Sequence, residues 1–443
     1  MYKKEFEIIF GYAKNKVDDI EILFSANKSF STKINEQLIE AFNYADSKGI
    51  GVRVIKDGKV GYAYTEKFDE ETFGMIVDEA VANAKCSEDD EIEVMENYPS
   101  VDKKLNIYSE ELDKVDVKEK IQFAKDMEKF AKATDNRVFN VPFAQFGNGT
   151  TYSRIENSKG LCKEEKQNFA YAYVGALSQE NDDKRVGVEF IIGRDFSKFK
   201  AKELAEKSVK KSTALLGGES IKSGSFPVIF NNEMMATMLS TFSGIFSAKS
   251  VQEGRSLLKG KLGQFIANEK VTIKDDGLYP EGFSTSAFDS EGYPSQTTIL
   301  ILNGRLRSYL HSTITARKDG VNSTGNGSRN YKNTLGISHT NFYLEKGQHK
   351  ETDLYNKYDR VIEIVAMQGM HSGANVISGD FSLSAEGFLY ENGKRKYSLK
   401  PFTISGNILQ LFKDVDMIAD NFIFDMSSMG SASVLVKQLA ISG

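Results

Sequence analysis

Residues 51–64, GVRVIKDGKVGYAY, contain the clearest fold signal in this sequence of 443 residues. Valines alternate on both sides of Asp57-Gly58, a dipeptide that tolerates the positive φ angles of a tight two-residue turn. The pattern predicts a β-hairpin. Residues 20–34 are rich in β-branched and aromatic residues and predict a preceding strand. Between these two segments, the periodicity of residues 37–49, QLIEAFNYADSKG, favours a helix.

Helices and strands continue to alternate up to residue 220. Amphipathic periodicity predicts a helix over 69–85, capped by Asp69. A second helix is predicted from Asp116, which has capping-box spacing to Glu119, and a third over roughly 200–216. Acidic, irregular residues between the first two helices indicate a surface linker over 87–115. Strand-like stretches lie at 138–153, 168–177 and 186–192.

The second half of the chain has a different sequence pattern, in which strand-like runs alternate with glycine-rich turns. The runs lie at 226–230, 297–310, 360–367 and 433–442. One helix, over about 231–246, is the expected exception. The fold class is therefore α+β. An N-terminal α/β region with antiparallel sheet and helices spans 1–220, with a possible subdivision near 90–115. A β-rich domain of twisted antiparallel sheets spans 221–443.

Bulk composition restricts the class of function. The formal net charge of −5 and a pI of about 5.7 argue against nucleic acid as the main partner, because phosphate binding needs a basic surface. No apolar run is long enough for a transmembrane helix, and the first residues do not resemble a signal peptide. Cys86 and Cys162 are far apart and outside any paired motif, which indicates a reduced compartment. The predicted location is the cytoplasm.

Catalytic motifs are sparse in this sequence. The four histidines are dispersed, and none forms HExxH or HExxxH, so ordinary structural or surface roles are favoured. They are His311, His339, His349 and His371. Ser372, His371 and Asp380 are close in sequence, but no GxSxG elbow supports a serine nucleophile. Cys162 also lies outside any nucleophile motif, which favours a structural or exposed thiol.

Two segments offer candidate peptide-binding residues. The glycine-rich stretch 323–330, STGNGSRN, is not a phosphate-binding motif, and close backbone packing is its favoured role. Arg329 in that stretch could clamp a peptide carboxylate with its bidentate guanidinium. Segment 378–393, SGDFSLSAEGFLYENG, contains Asp380 and Ser382, and Asp380 could cap a turn, accept a substrate amine or pair with an arginine.

Several segments, in order along nearly the whole chain, resemble the TldD/PmbA peptidase family. They are GIGVRVIKDGKVGYAYTEKFDEE (49–71), FDSEGYPSQTTILILNGRLRSYLHSTITARKDG (288–320), STGNGSRN (323–330), SGANVISGDFSLSAEGFLYENG (372–393), TISGNILQLF (403–412) and GSASVLVKQLAISG (430–443). The resemblance implies an N-terminal α/β region, a β-rich C-terminal domain and dimers that enclose a cavity. It also implies that the catalytic TldD branch binds zinc through HExxxH on a helix and a further ligand near the C-terminus.

The family motif can be located here by position. Laying it over NNEMMATMLSTFSGIFS (231–247) without gaps puts Ser240 and Ile245 at the two histidines and Thr241 at the glutamate general base. None of these side chains can supply the required imidazole or carboxylate. The C-terminal FDMSSMGSASV also lacks cysteine and histidine. The pattern resembles the PmbA (TldE) branch, which lacks the motif and works as the partner of a TldD subunit.

Three functional hypotheses follow from this resemblance. The first is a non-catalytic subunit of a TldD/TldE-type metallopeptidase complex acting on unfolded or modified peptides, with no cofactor of its own and zinc only in the TldD-like partner. The second is a self-sufficient peptidase or hydrolase with a relocated metal or nucleophile. The third is a homodimeric scaffold that binds peptides. The expected partners are a TldD-like catalytic subunit, a second copy of this chain, or both, together with a peptide substrate and with neither nucleic acid nor membrane.

Overall fold

The computed structural model describes residues 2–86, 95–280 and 282–443. Its N-terminal half contains five α-helices and six long strands within these ranges. They are α1 (Lys3–Ala13), β1 (Asp19–Asn35), β2 (Leu38–Lys56), β3 (Lys59–Thr65), α2 (Glu70–Cys86), α3 (Glu110–Lys114), α4 (Val117–Thr134), β4 (Val138–Asn157), β5 (Cys162–Glu180), β6 (Asp183–Gly193) and α5 (Ala201–Ala214).

The six strands form one antiparallel sheet in the order β3-β2-β1-β4-β5-β6. The predicted hairpin is confirmed as β2–β3, with Asp57 and Gly58 at φ 52° and 75° in the turn. The helix predicted over 37–49 is wrong, because residues 38–49 belong to β2 and pair with β1, while Gln37 lies in the turn between the two strands. The ring of Phe42 lies 5.4 Å from that of Phe30 across the two strands. This cross-strand pairing overrides the weak local periodicity.

Helices cover one face of this sheet. α1 and α2 bury their apolar stripes against β1 and β2, and α4 and α5 pack over β4 and β5. Asp69 caps α2 through the amide of Thr72 at 2.9 Å, as predicted. Asp116 caps α4 through the amide of Lys118 at 2.7 Å, rather than through the capping box expected with Glu119.

The predicted surface linker is only partly a linker. Residues 87–94 lie outside the described ranges. The part from Met95 onward packs against the sheet, since Met95, Ile107 and Leu112 are buried. The backbone of Ser109 is also held by both ends of the Asn168 amide, at 2.7 and 2.8 Å.

The C-terminal half is described by short helices and many short strands. They are β7 (Gly224–Phe230), α6 (Asn232–Phe242), α7 (Ala248–Gln252), β8 (Ile273–Asp276), β9 (Thr297–Leu302), β10 (Arg305–Leu306), α8 (Thr313–Asp319), β11 (Gly327–Ser328), β12 (Gly336–Ile337), β13 (Phe342–Leu344), α9 (Glu351–Tyr355), β14 (Arg360–Gln368), α10 (Met370–Gly373), β15 (Asp380–Glu391), β16 (Lys394–Ser398), β17 (Phe402–Asn407), α11 (Ile408–Lys413), β18 (Val415–Ile418), β19 (Ile423–Phe424), β20 (Met429–Ser431) and β21 (Val434–Ser442).

These strands confirm the α+β class and add detail to it. The main sheet has neighbouring strands in the spatial order β14-β7-β21-β17-β15. Because β15 also pairs with β14, this sheet closes on itself around a large apolar core. Most pairs are antiparallel, but β7–β14 and β13–β20 are parallel. The predicted helix over 231–246 is present as α6 followed by a 3-10 turn, and five further short helices accompany it. Among the described residues no helix has the length and hydropathy needed to cross a membrane.

Candidate functional site

Helix α6 follows strand β7 directly and is firmly anchored. Asn231 accepts a hydrogen bond from the amide of Met234 at 2.8 Å, which caps the helix. Met235, Met238 and Phe242 are buried in the C-terminal core. At Ser243 the α-helix tightens into a 3-10 turn that ends at Phe246. The sequence therefore forms the expected helix, and the positions laid over the family motif, Ser240, Thr241 and Ile245, carry neither an imidazole nor a carboxylate.

The three positions that the sequence overlay placed at the family motif do not converge on one site. Ile245 is 2% exposed and packs into the core, while Ser240 and Thr241 are half-buried. The Thr241 hydroxyl donates to the carbonyl of Thr237 at 2.8 Å, so it is engaged within the helix. A zinc ion needs about three nitrogen, sulfur or carboxylate ligands, and a hydroxyl, a helix-bonded hydroxyl and an alkyl group do not fit it. The residues present at this helix do not form a zinc site.

The histidines of the chain do not form a metal site either. Burial lowers the pKa of His311 and of His339. Within the described ranges, no three His, Cys, Asp or Glu side chains are grouped so that they could hold a metal ion. The Ser372 hydroxyl donates to the carbonyl of Gly369 and Asp380 accepts from Asn407, so Ser372, His371 and Asp380 are not joined in a relay.

The two thiols lie at the surface. Cys162 is exposed, and burial of its sulfur together with Glu156 raises its pKa. A raised pKa keeps a thiol protonated and therefore weakly nucleophilic. Cys86 is also exposed, at the end of α2. These environments match the structural or exposed thiols that the sequence predicted.

Arg329 lies in a buried ion-pair network rather than at an open surface. Its side chain is 3% exposed and pairs with Glu21 of β1, which also pairs with Arg53 at 3.1 Å. The carbonyl of Ser290 accepts from Arg329 Nε at 3.3 Å. The glycine-rich loop is thereby fixed to the N-terminal sheet, as close backbone packing requires.

Asp380 and Ser382 lie on the solvent side of β15. Asn407 donates to the Asp380 carboxylate at 2.9 Å, and this bond together with Ser378 lowers the pKa of Asp380. The hydroxyls of Ser382 and Ser405 are 3.3 Å apart across the paired strands. Both candidates therefore belong to one polar sheet surface, and Arg329 lies elsewhere.

The structure also contains a surface that the sequence did not single out. Along β5, Ala170, Ala172 and Val174 are buried beneath the helices, so Tyr171 and Tyr173 emerge on the opposite, half-exposed face. The rings of these tyrosines stack at 6.4 Å with an interplanar angle of 8°. We call this surface the open face. Besides Tyr171 and Tyr173, it comprises Ser25, Asn27, Ser29, Ser31 and Lys33 of β1, Gln145, Gly147, Gly149, Thr151 and Ser153 of β4, and Glu165, Gln167 and Phe169 of β5.

Gly147 leaves room for the ring of Tyr171 in the open face. A Cβ atom there would lie 2.4 Å from the ring of Tyr171 on the neighbouring strand. Tyr173 donates to Gln145 at 2.7 Å, and Thr151 donates to Asn27 at 2.7 Å. The alternation of residues along the strands indicates in the sequence that the sheet has two different faces. Which face the helices cover could be recognised only from the positions of α4 and α5.

A cleft of about 400 Å³ lies where the C-terminal loops cover one end of the open face. Ser25, Thr151 and Glu165 line it from the sheet, and the glycine-rich loop lines it from the other side. Ala287 donates its amide to Glu165 at 2.7 Å, and burial raises the pKa of Glu165. Besides the charged Glu165, Asp289 and Arg329, the lining offers neutral polar groups and aromatic rings, which suit a polypeptide backbone.

Two carboxylates, the half-buried Asp289 and the buried Asp275, hold the cleft loops in place. Asp289 accepts the amide of Gly327 at 2.8 Å, and burial next to Glu291 raises the pKa of Asp289 well above its usual range. Asp275 accepts from Asn326 at 2.7 Å and from the amide of Thr340 at 2.7 Å. Burial raises the pKa of Asp275 to about 6. Both carboxylates therefore fix the loop conformation by accepting hydrogen bonds from loop groups.

Comparison with known families covers most of the chain. Family models described as PmbA/TldA metallopeptidase domain 1, central domain and C-terminal domain match residues 20–84, 110–216 and 223–443. The chain therefore belongs to the PmbA/TldA metallopeptidase family, which is the TldD/PmbA family of the sequence resemblance. Its relatives include PmbA homologues, and it is a PmbA/TldE-like protein of that family.

Individual relatives agree over nearly their full length. An uncharacterized protein of Methanocaldococcus jannaschii is 31% identical, with 95% of each chain covered. A metalloprotease PmbA homolog of Haemophilus influenzae is 25% identical, covering 96% of this chain and 92% of the relative.

Two crystal structures share the fold. One, a Thermotoga maritima protein described as a candidate modulator of a DNA gyrase, superposes with a TM-score of 0.93 at 30% identity and full coverage of both chains. The other is TldE from Thermococcus kodakarensis, with a TM-score of 0.90 at 23% identity and coverage of 99% of this chain and 100% of that one.

Proposed function

We propose that this chain is the non-catalytic, TldE-like subunit of a cytosolic metallopeptidase complex that acts on unfolded or modified peptides. The observation that carries the proposal is the chemistry of Ser240, Thr241 and Ile245 on an intact helix. The fold of a metallopeptidase family is retained, and the three positions that we align with the family's ligands and general base carry an alcohol, a helix-bonded alcohol and a core alkyl group. Zinc is expected only in a TldD-type partner.

The open face and its cleft support a role in holding substrate. The open face has small polar side chains, stacked tyrosines and only two formal charges, Lys33 and Glu165. In the cleft, Asp289 and Arg329 add one charge of each sign, and both are already bonded to protein groups. Such a surface can hydrogen-bond to any extended backbone without selecting a charge, which suits unfolded peptides. Asp380 and Ser382 remain proposed peptide contacts on their separate polar surface, and Arg329 would reach a peptide only if its pairing with Glu21 opened.

A projecting arm supports assembly with a second subunit. Residues 38–48 of β2 are exposed on nearly every side chain, although they pair with β1 along their length. Leu38, Phe42 and Tyr44 expose 70%, 51% and 63% of their surface. Neighbouring large apolar groups on an edge strand are a usual mark of a protein–protein contact. We assign this arm to the contact with the TldD-type subunit or with a second copy.

Co-purification tests the proposal. The tagged chain is mixed with a TldD-like subunit, and the complex is assayed for cleavage of an unfolded peptide with and without chelator. We expect a stable heterodimer whose zinc-dependent cleavage is lost when either subunit is omitted. The double variant Phe42→Asp/Tyr44→Asp should weaken the complex, and the matched control Val321→Asp, at a side chain 51% exposed elsewhere, should not.

The two other hypotheses give different results in the same experiment. A self-sufficient hydrolase would bind stoichiometric metal and cleave peptide without the second subunit. A homodimeric scaffold would bind peptide and dimerise by itself, and adding the TldD-like subunit would produce no heterodimer. Cleavage by the TldD-like subunit that is unchanged when this chain is absent would contradict the proposal.

A further inference from the structure

A narrow slot lies between the two halves of the molecule, at the unpaired edges of two strands. One edge is Val186–Glu189 of β6, which is the last strand of the N-terminal sheet. The other is Val365–Gln368 of β14, which extends beyond the end of β7 because β7 pairs only with Ile362–Ile364. The slot has a volume of about 500 Å³. Among the described residues, no strand fills it. We call it the strand slot.

The width of the strand slot is fixed by charged residues that connect its walls. Lys211 of α5 pairs with Glu233 of α6 at 2.6 Å and with Glu189 of β6 at 3.2 Å. The buried Arg185 of β6 pairs with Glu386 of β15 at 3.2 Å. These bonds join the N-terminal sheet to the C-terminal domain, so the slot is formed before any ligand arrives.

Strand β6 is protected only in part: it carries charges at Asp183–Arg185 and at Glu189, and Lys211 donates to the carbonyl of Val188 at 3.1 Å, but residues 186–188 between these charges are uncharged. Edge strands are generally blocked by charged or proline residues, or by a covering element. Here Val186 and Val188 are 43% and 42% exposed on the edge strand, on either side of Gly187. Gly187 itself must be glycine, because a Cβ atom would lie 2.2 Å from the carbonyl oxygen of Ser208 on α5. An exposed, β-branched edge beside an empty slot is suited to pairing with an added strand.

The slot combines an apolar interior with a cationic rim. Met234, Met367 and Phe388 line the interior. Lys207 and Lys210 lie at the rim, and neither forms an ion pair with any residue that the structure describes. The acidic groups of the slot, Glu189 and Glu233, are already paired with Lys211. The uncompensated charge is therefore positive, and it favours an acidic ligand.

We propose that the strand slot binds an extended polypeptide segment in which apolar and acidic residues alternate. The ligand backbone pairs with the edge of β6, its apolar side chains enter the slot and its carboxylates approach Lys207 and Lys210. Four residues of β6 line the slot, and at about 3.3 Å per residue they match about 13 Å of extended chain. The slot lies at the N-terminal end of α6, and its lining includes neither Ser240 nor any residue of the open face. The inference therefore does not depend on the proposed subunit role.

Fluorescence anisotropy with the full-length chain tests this inference. The probe is a fluorescein-labelled hexapeptide of alternating glutamate and valine, titrated at low salt. We expect saturable binding that the double variant Lys207→Glu/Lys210→Glu weakens by about tenfold or more. The matched control Lys198→Glu/Lys202→Glu makes the same charge change outside the slot and should change the affinity by less than about threefold.

Two altered peptides separate strand pairing from charge attraction. The hexapeptide with alternate backbone nitrogens methylated keeps its charge but loses backbone donors, and it should bind about tenfold more weakly. A peptide with lysine in place of glutamate should not bind. Equal binding of the methylated peptide, equal effects of the two double variants, or no saturable binding would overturn the inference. Thermal melting of each variant confirms that it is folded.

Discussion

Replacing Glu21 by glutamine tests whether Arg329 serves the fold. The carboxylate of Glu21 is 1% exposed and pairs with two guanidinium groups, those of Arg53 and Arg329, which are 2% and 3% exposed. Glutamine keeps the shape and one carbonyl acceptor but removes the charge. Two buried cations then lose their shared counter-ion, and the link between the N-terminal sheet and the glycine-rich loop weakens.

The expected loss of stability follows from the geometry. At the 3.1 Å separation between Glu21 and Arg53, the Coulomb attraction at an effective dielectric constant of about 20 is about 5 kcal/mol. Breaking a buried pair by removing one partner costs about 3–5 kcal/mol. Glu291 also attracts Arg53 and offsets part of this loss. We therefore expect Glu21→Gln to lower the free energy of unfolding by about 3 kcal/mol.

Urea unfolding measures this change, followed by far-ultraviolet circular dichroism and by tyrosine fluorescence, since the chain has no tryptophan. Both probes must report the same transition for a two-state analysis. The control is Glu40→Gln, which removes a half-exposed partner of Lys33 and should cost less than about 1 kcal/mol. Adding Arg329→Met to Glu21→Gln should cost less than the sum of the two single changes, because the two residues interact.

A loss below about 1 kcal/mol for Glu21→Gln, equal to that of the control, would refute this reasoning. The Arg329 guanidinium would then be held only weakly. The Arg329 guanidinium would then be available to bind a peptide carboxylate, as the sequence predicted.

Three further predictions follow from the packing. Asp275 has a folded pKa of about 6, above its unfolded value of 3.8. Its protonation therefore stabilises the fold below about pH 4, and up to about 3 kcal/mol is lost as the pH rises through 6. Comparing urea midpoints at about pH 4.5 and 7.5 should give a smaller pH-dependent loss in Asp275→Asn than in the wild type. Gly61→Ala should lower the melting temperature, because its Cβ would lie 1.9 Å from a carbonyl oxygen of α2. Gly11→Ala, in an open helical position, should raise stability by about 0.5–1 kcal/mol. Ile245→His should cost about 2–4 kcal/mol by burying an imidazole in the core, and half-buried Ser240→His should cost less than half as much in the same urea titration.

The sequence predicted most elements because local signals and tertiary packing agree there. The turn at Asp57-Gly58, the cap at Asp69 and the apolar stripe of α2 all work through neighbours within a few residues. The failure at 37–49 has the opposite cause. Those residues form an exposed strand because β1 pairs with them, and nothing in their own periodicity records that partner.

The candidate site also has some features that local sequence indicates and others that depend on residues far apart in the chain. The absence of an imidazole or a carboxylate at Ser240, Thr241 and Ile245 was readable from residue types alone. The pairing of Arg329 with Glu21 joins residues 308 positions apart, and no local pattern indicates it. The strand slot likewise depends on where two sheet edges meet, so it becomes visible only when both halves of the chain are placed.

Zinc analysis coupled to a peptidase assay tests the central claim most directly. The purified chain, a TldD-like subunit and their mixture are each measured for bound zinc and for cleavage of the same unfolded peptide. We predict no stoichiometric zinc and no cleavage for this chain alone, and zinc-dependent cleavage for the mixture. Stoichiometric zinc on this chain, together with chelator-sensitive cleavage in the absence of any second subunit, would contradict the claim.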